Sequence, residues 1–465
     1  MSINSVRIPS KMLNKVSFGH KMIIDIGASD PRGTVKLLST TDNDSVLFNN
    51  NGFLSNKNFE SEKDFIDTVS KYIVNACKQA EAKVEELKKA GNPNVSDKDQ
   101  ELSNLAILVP GPVVNNKIAL IANIKTSNGQ SMQDVETMKI FNALINQAQK
   151  EHINISRDIN YVVAKDLLGT GISLASILAK HPQYKDKIKQ GDFFAVGIMT
   201  GGGFGSVNIK AKDQKTVEIE ASENSHNLAV PLSIDNSHKP DGEIVRIGKL
   251  GATAKGMLEN YAKTLGITSN DDINAIVNTG NARMATLINK DGKNSISLNK
   301  NLHNHAIKLL LDTGVYKVKE EKDNNITLEL KNDTNSLEKH KKARLTAIQK
   351  YVDAIAWHTI CKITEGANLL ILTGPLANGI NKTIMDLTEN KTQLKDIIFN
   401  KINSLVGDDN TINKLRKEYD FDIVCGGEFM IENNTTCAKT LLDKSSVLAG
   451  SGKRADWISL PIKTL

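Results

Sequence analysis

Asp166 follows the apolar run 162–164 and Lys165, and it precedes a helical pattern that begins at 167. That position is the carboxyl end of an expected buried strand, where open α/β sheets place their ligands. A carboxylate there can take a proton from a hydroxyl whose oxygen attacks a γ-phosphate. The same residue, between strand and helix, equally fits a plain N-cap. Further on, Glu223 and His226 stand three apart in Ala221-Ser222-Glu223-Asn224-Ser225-His226. A carboxylate and an imidazole can fork onto adjacent hydroxyls of a polyol, although an ordinary solvated pair has the same spacing. No third ligand stands nearby to make a metal site. Asn123, beyond the stiff loop Gly111-Pro112-Val113, offers the donor and acceptor that a sugar hydroxyl needs. The plainer alternative for that loop is a structural turn.

Two glycine-hinged turns lie far apart in the chain. The first is Asp25-Ile26-Gly27-Ala28-Ser29, and the second is Thr200-Gly201-Gly202-Gly203-Phe204-Gly205. Each leaves one expected strand and enters another. Glycine lets backbone N–H groups approach an anion with no Cβ in the way. Two such turns suggest a cleft that grips a polyphosphate from both sides, while each alone also reads as a tight hairpin turn.

The elements that must position these residues repeat. Residues 22–26, 34–38 and 45–48 read as a three-stranded meander. An amphipathic helix over 61–90, strands at 105–109 and 117–121, a helix over 133–150, a strand at 161–164 and a helix over 167–178 follow. A second meander at 193–199, 205–210 and 216–219 opens the other half. Helical patterns come next at 253–265, 273–277 and 303–311. The polar stretch 316–340 reads as a surface hairpin insertion, and 341–364 as a long amphipathic helix. Strands at 368–372 and 421–424 end at Gly374-Pro375 and Gly426-Gly427, and 435–442 reads as a last helix. The repetition predicts an α/β protein of two duplicated domains, 20–168 and 169–450.

The chain has 465 residues, 40% apolar and 24% charged, with a net charge of +6. These values suit a globular protein with a sizeable core. Its basic residues are spread out and its aromatics sparse at 5%, which argues against nucleic acid as partner. No apolar run reaches the roughly 20 residues of a membrane span. Residues 1–21 lack the apolar core of a secretory signal. Cys77, Cys361, Cys425 and Cys437 form no metal-like spacing and read as reduced thiols. A cytoplasmic enzyme is the expectation.

Taken in order, these motifs resemble the bacterial glucokinases and ROK-type sugar kinases, within the superfamily of actin, hexokinase and chaperone ATPases. The family's Asp-x-Gly-Gly-Thr motif is matched by Asp25-Ile26-Gly27-Ala28-Ser29, and its Gly-Pro-Val by Gly111-Pro112-Val113. Its Asn-Leu pair resembles Asn123-Ile124, and its catalytic Asn-Asp pair Lys165-Asp166. Its second glycine motif falls on Met199-Thr200-Gly201-Gly202-Gly203, and its Glu-x-Gly-His on Glu223-Asn224-Ser225-His226. Its adenosine-side turn falls at Leu372-Thr373-Gly374-Pro375. The resemblance covers roughly residues 22 to 442.

It implies a duplicated actin-like ATPase (ribonuclease H-like) fold with an interdomain cleft. It also implies ATP-dependent phosphorylation of a hexose hydroxyl, glucose above all. Asp166 would be the general base. Asn123, Lys165, Glu223 and His226 would hold the sugar. Asp25, Gly27, Ala28, Ser29, Thr200, Gly201, Gly202, Gly203 and Gly374 would line the ATP, with Asp25 orienting Mg²⁺ through water. The zinc motif of many members and the DNA-binding helix-turn-helix of the repressors are absent, so no structural zinc is expected. A homodimer is allowed. Four positions depart from the pattern: Ala28 for Gly, Ser29 for Thr, Lys165 for Asn and Ser225 for Gly. Beside Asp166, Lys165 is expected to lower the carboxylate's pKa and weaken it as a base, or to bind an acidic group of the substrate. These departures also motivate a different class, a sugar-binding or regulatory protein that keeps the fold without catalysis. An acetate-type kinase or chaperone-type ATPase is a third class, against which the Glu223/His226 fork speaks.

Overall fold

The computed structural model describes residues 20–26, 33–39, 46–51, 59–93, 95, 97–128, 130–222, 228–231, 244–280, 295–389, 391–406, 420–429 and 457–462. The first half opens with strands β1 (His20–Ile26), β2 (Gly33–Ser39) and β3 (Val46–Asn51) in an antiparallel meander. Helix α1 (Glu62–Lys89) follows, started by Ser61, whose hydroxyl accepts the Asp64 N–H at 3.2 Å. Its buried stripe, Phe65, Val69, Ile73, Cys77, Ala80 and Val84, faces the sheet core. Then come β4 (Leu102–Val109), β5 (Val113–Val114), β6 (Lys117–Lys125), β7 (Ser131–Glu136), α2 (Thr137–Lys150) and β8 (Ile155–Lys165). The main sheet has the order β3-β2-β1-β4-β8, with β1, β4 and β8 parallel. Strand β4 is buried along its whole length, as a central parallel strand covered on both faces must be.

Helices α3 (Asp166–Leu178) and α4 (Lys185–Gln190) lead to a second meander, β9 (Phe193–Thr200), β10 (Phe204–Ala211) and β11 (Thr216–Ala221). After it run β12 (Ala229–Pro231), β13 (Ile244–Arg246), α5 (Ala254–Thr264), α6 (Asn270–Val277), β14 (Ser295–Asn299) and α7 (Lys300–Asp312). The chain continues through β15 (Tyr316–Lys322), β16 (Asn325–Leu330), α8 (Thr334–Thr364), β17 (Leu369–Thr373), α9 (Pro375–Leu387), α10 (Leu394–Val406), β18 (Asp422–Cys425) and β19 (Trp457–Pro461). The second sheet has the order β18-β17-β9-β10-β11-β19, with β9, β17 and β18 parallel. Apart from β19, which adds to its edge beyond residue 450, this repeats the connectivity of the first sheet. An antiparallel meander whose first strand then collects two parallel partners, occurring twice, is the duplicated actin-like, ribonuclease H-like α/β fold.

Helix α3 continues directly from the last strand of the first sheet yet packs on the second. A Cβ on its Gly171 would come within 2.5 Å of both Val207 and Ile219. Gly197 and Gly205 on the sheet would bring a Cβ to 2.4 Å from Leu174 and Leu167 in the same way. The other side of this core holds Ile23, Ala106, Leu108, Val162 and Ala164 from the first sheet.

Three expectations change. The helix expected over 133–150 begins only at Thr137, because residues 131–136 pair with β6 as a strand. Met138, which a helix over 133–150 would carry on its apolar face with Val135 and Leu144, is 48% exposed. The stretch 316–340 is not merely a surface hairpin. Its strands β15 and β16 are joined by β14 into a three-stranded sheet. Helix α8 starts at Thr334, capped by Asp333, which accepts the Ser336 N–H at 2.9 Å. Its first turns read as polar because only a narrow stripe, Ser336, His340, Ala343 and Ala347, is buried. The helix expected at 435–442 lies outside the described residues.

Candidate functional site

The parallel strands of the first sheet end side by side. In register, Asp25 of β1 stands opposite Leu108 of β4, and Val109 opposite Lys165 of β8. Asp25 is 7% exposed and Asp166, one residue past β8, is partly buried. Asp166 is the first residue of α3, and the N-cap position belongs to Lys165. The Asp166 carboxylate accepts the N–H of the adjacent Leu167 at 2.7 Å, which is not the capping pattern.

Burial pushes the Asp166 pKa up to about 7, and the negative charge of Asp25 adds to the rise. The Leu167 N–H and the Lys165 charge oppose it without cancelling it. The lowering expected from Lys165 is present, but desolvation and Asp25 outweigh it, so the carboxylate becomes a stronger base than an ordinary one and not a weaker one. Lys165 itself is buried, at 6% exposure, and its Nζ donates to the Ser222 carbonyl at 2.9 Å. Ser222 in turn donates its N–H to the Ser206 carbonyl at 2.9 Å.

The second glycine turn sits against the same corner. Gly205 packs on Leu167, next to Asp166. Within the turn the Gly201 N–H donates to the Gly203 carbonyl at 3.0 Å, and the Ala254 N–H reaches the Gly201 carbonyl at 2.8 Å. Strand β17 lies parallel to β9 with Thr373 opposite Met199, so the following Gly374 arrives directly on Thr200. Gly374 has φ 92°, and a Cβ there would stand 2.7 Å from the Thr200 carbonyl oxygen. Backbone meets backbone here, which only glycine permits. The Thr200 hydroxyl faces the interior, 3.1 Å from the hydroxyl of Tyr351 on α8. Nothing in the sequence marks Tyr351, which falls on the buried stripe of a long helix.

Among the expected site residues, Asp25, Lys165, Asp166, Thr200, Gly201, Gly202, Gly203 and Gly374 are described, at or just past the carboxyl ends of parallel strands. Asn123 lies in β6 where its register with β7 jumps from Ile121–Met132 to Lys125–Ser131. Gly111 is required by packing, since a Cβ would fall 1.7 Å from the Leu120 carbonyl oxygen. Gly27, Ala28, Ser29, Glu223 and His226 lie outside the described residues.

Among the described residues no group of three or more His, Cys, Asp or Glu side chains could enclose a metal ion, and no helix is long and apolar enough to cross a membrane. Asp25 and Asp166 nevertheless raise negative potential at one corner, as the Asp166 shift records. A hydrated divalent cation, which takes one or two carboxylates and keeps its water, fits that donor set better than a closed site would.

No protein-family model matches the chain, and no curated protein does. Among solved structures the chain is similar to the glucokinase from Balamuthia mandrillaris in complex with glucose, at a TM-score of 0.48 and 10% identity over 91% of this chain and 93% of that one. It is similar to the Leishmania braziliensis glucokinase at 0.47 and 12%, over 92% and 93%. A ROK family glucokinase from Streptomyces griseus, in complex with glucose and AMPPNP, is similar at 0.41 and 11%, over 92% and 100%. These likenesses are of shape alone, at very low identity.

Proposed function

We propose that the chain is an ATP-dependent sugar kinase that phosphorylates a hexose hydroxyl, with glucose the first acceptor to try. The observation that carries this reading is Asp166, a carboxylate with a pKa of about 7 at the carboxyl end of β8, beside a glycine turn. A base poised near neutrality can take the acceptor proton as the oxygen attacks. Thr200, Gly201, Gly202, Gly203 and Gly374 would receive the phosphates from the second half, and Gly27, Ala28 and Ser29 from the first. Asn123, Glu223 and His226 would hold sugar hydroxyls. Mg²⁺, oriented by Asp25 through water, would neutralise phosphate charge. A cytoplasmic location and a homodimer belong to the same proposal.

The test is ADP release over a panel of hexoses, amino sugars and sugar phosphates. Turnover with a neutral hexose is expected. Well-folded protein that turns over none of them would overturn the kinase reading, and sugar binding seen by calorimetry in that case would favour the non-catalytic alternative.

Lys165 makes a second expectation. Its charge holds the Asp166 pKa down, so Lys165→Met should move the acid limb of the pH–rate profile to higher pH. Losing the Nζ–Ser222 bond should also raise the acceptor KM, since Ser222 immediately precedes Glu223. An acid limb that moves to lower pH would show that Lys165 does not act on Asp166 in this way.

A further inference from the structure

We propose that Tyr351 is a positioning residue for the phosphates of the nucleotide, acting through Thr200; this rests on reading the second glycine turn as a phosphate cradle. Tyr351 and Thr200 are both fully buried, and their hydroxyls lie 3.1 Å apart. The Thr200 hydroxyl, the one polar side-chain group between Met199 and Phe204, is therefore committed to the interior. Anion recognition falls to the backbone of the turn, whose path the buried pair helps to set.

The pair stands on a rigid base. The π turn Gly248–Ala252 packs its backbone on α8 at this level. A Cβ on Gly251, at φ 152°, would lie 2.7 Å from the Lys350 carbonyl carbon and 2.9 Å from the Tyr351 nitrogen. The same turn runs into Thr253, which caps α5 by accepting the Gly256 N–H at 3.0 Å. The next residue, Ala254, donates to the Gly201 carbonyl. Gly374 presses on the Thr200 backbone from β17. The turn is thus held at three successive points: the Thr200 side chain, the Thr200 backbone and the Gly201 carbonyl. Of these, the hydroxyl pair alone can be removed without moving the main chain.

A double-mutant cycle reads this arrangement. Tyr351→Phe and Thr200→Val each delete one hydroxyl, and a buried hydrogen bond of this kind is worth about 1 kcal/mol, or about fivefold in affinity. Each single variant is expected to weaken ADP and a non-hydrolysable ATP analogue by about fivefold in calorimetry, with the acceptor KM unchanged. The double variant should be no weaker than either single one, and Thr200→Ser should restore affinity. If the Thr200 hydroxyl instead touches the nucleotide directly, Thr200→Val will cost more than Tyr351→Phe and the two losses will add, which overturns the proposal. Nucleotide affinity that ignores Tyr351→Phe overturns it as well. Absence of nucleotide binding by the unaltered chain would remove the kinase reading and this role together, whereas binding without the cycle's coupling removes this role alone.

Discussion

Asp166→Asn is expected to lower turnover by about a hundred- to ten-thousandfold, the usual range for removing a general base, with ATP affinity little changed. Asn keeps the size and the acceptor oxygen for the Leu167 N–H but cannot take the acceptor proton. Turnover by the unaltered protein should fall as pH drops through about 7, rather than through the usual carboxylate range near 4. The same shift has a stability sign. A carboxyl group whose pKa is raised on folding is more readily ionised in the unfolded chain, so stability falls as pH rises from about 4 towards 7. Asp166→Asn removes that penalty. It should melt at a higher temperature than the unaltered protein at pH 8, and at nearly the same temperature at pH 4. A variant that is both active and no more stable at pH 8 would deny Asp166 the burial and the role assigned to it.

Gly374→Ala is expected to be the most damaging single methyl in the candidate nucleotide site. The residue has φ 92°, a conformation that costs any L side chain, and the new Cβ would meet main-chain atoms of Thr200 at 2.7 and 3.2 Å. Main chain cannot rotate aside as a leucine tip can. Strain and overpacking together place the loss at about 2–5 kcal/mol, with nucleotide binding lost alongside. Gly203→Ala is the control. Nothing lies within 4 Å of its Cβ position, so its stability should change by less than about 1 kcal/mol. Chemical denaturation of both variants checks the contrast, and equal effects would mean that the β9–β17 contact is not as close as described.

The sheet-forming part of the fold was readable because its signals are local. The runs at 22–24, 105–109 and 193–199 are continuous apolar stretches, and each proves to be a central strand with a candidate site residue or turn near its carboxyl end. The resemblance likewise pointed to Asp166 and the second turn. What could not be read depends on distant partners. Residues 131–136 become a strand only because β6 lies opposite, and β19 joins an edge made by residues more than two hundred positions earlier. The polar start of α8 hides its stripe until Tyr261 of α5 and Tyr316 of β15 close on His340. The direction of Lys165 was likewise invisible. Beside Asp166 in sequence, a lysine suggests an ion pair, but its Nζ finds a carbonyl 57 positions away. Tyr351 is linked to Thr200 across 151 positions, with no pattern to betray it.

Helix α3 sets a rule for dividing this chain. By sequence the repeat boundary lies near the end of the first sheet, yet the helix that follows fits into notches at Gly197 and Gly205 and offers one of its own at Gly171. A fragment beginning after Leu178 would leave Val207 and Ile219 bare on one face of its sheet, and one ending at Leu178 would carry a helix stripped of its closest neighbour. Neither piece should be soluble by itself, whereas a break placed ahead of Asp166 would let the two pieces reassemble. The duplication is therefore no longer modular: the core under α3 also takes Ile23, Ala106, Leu108, Val162 and Ala164 from the first sheet, so a change there has to be answered by a change in the other half.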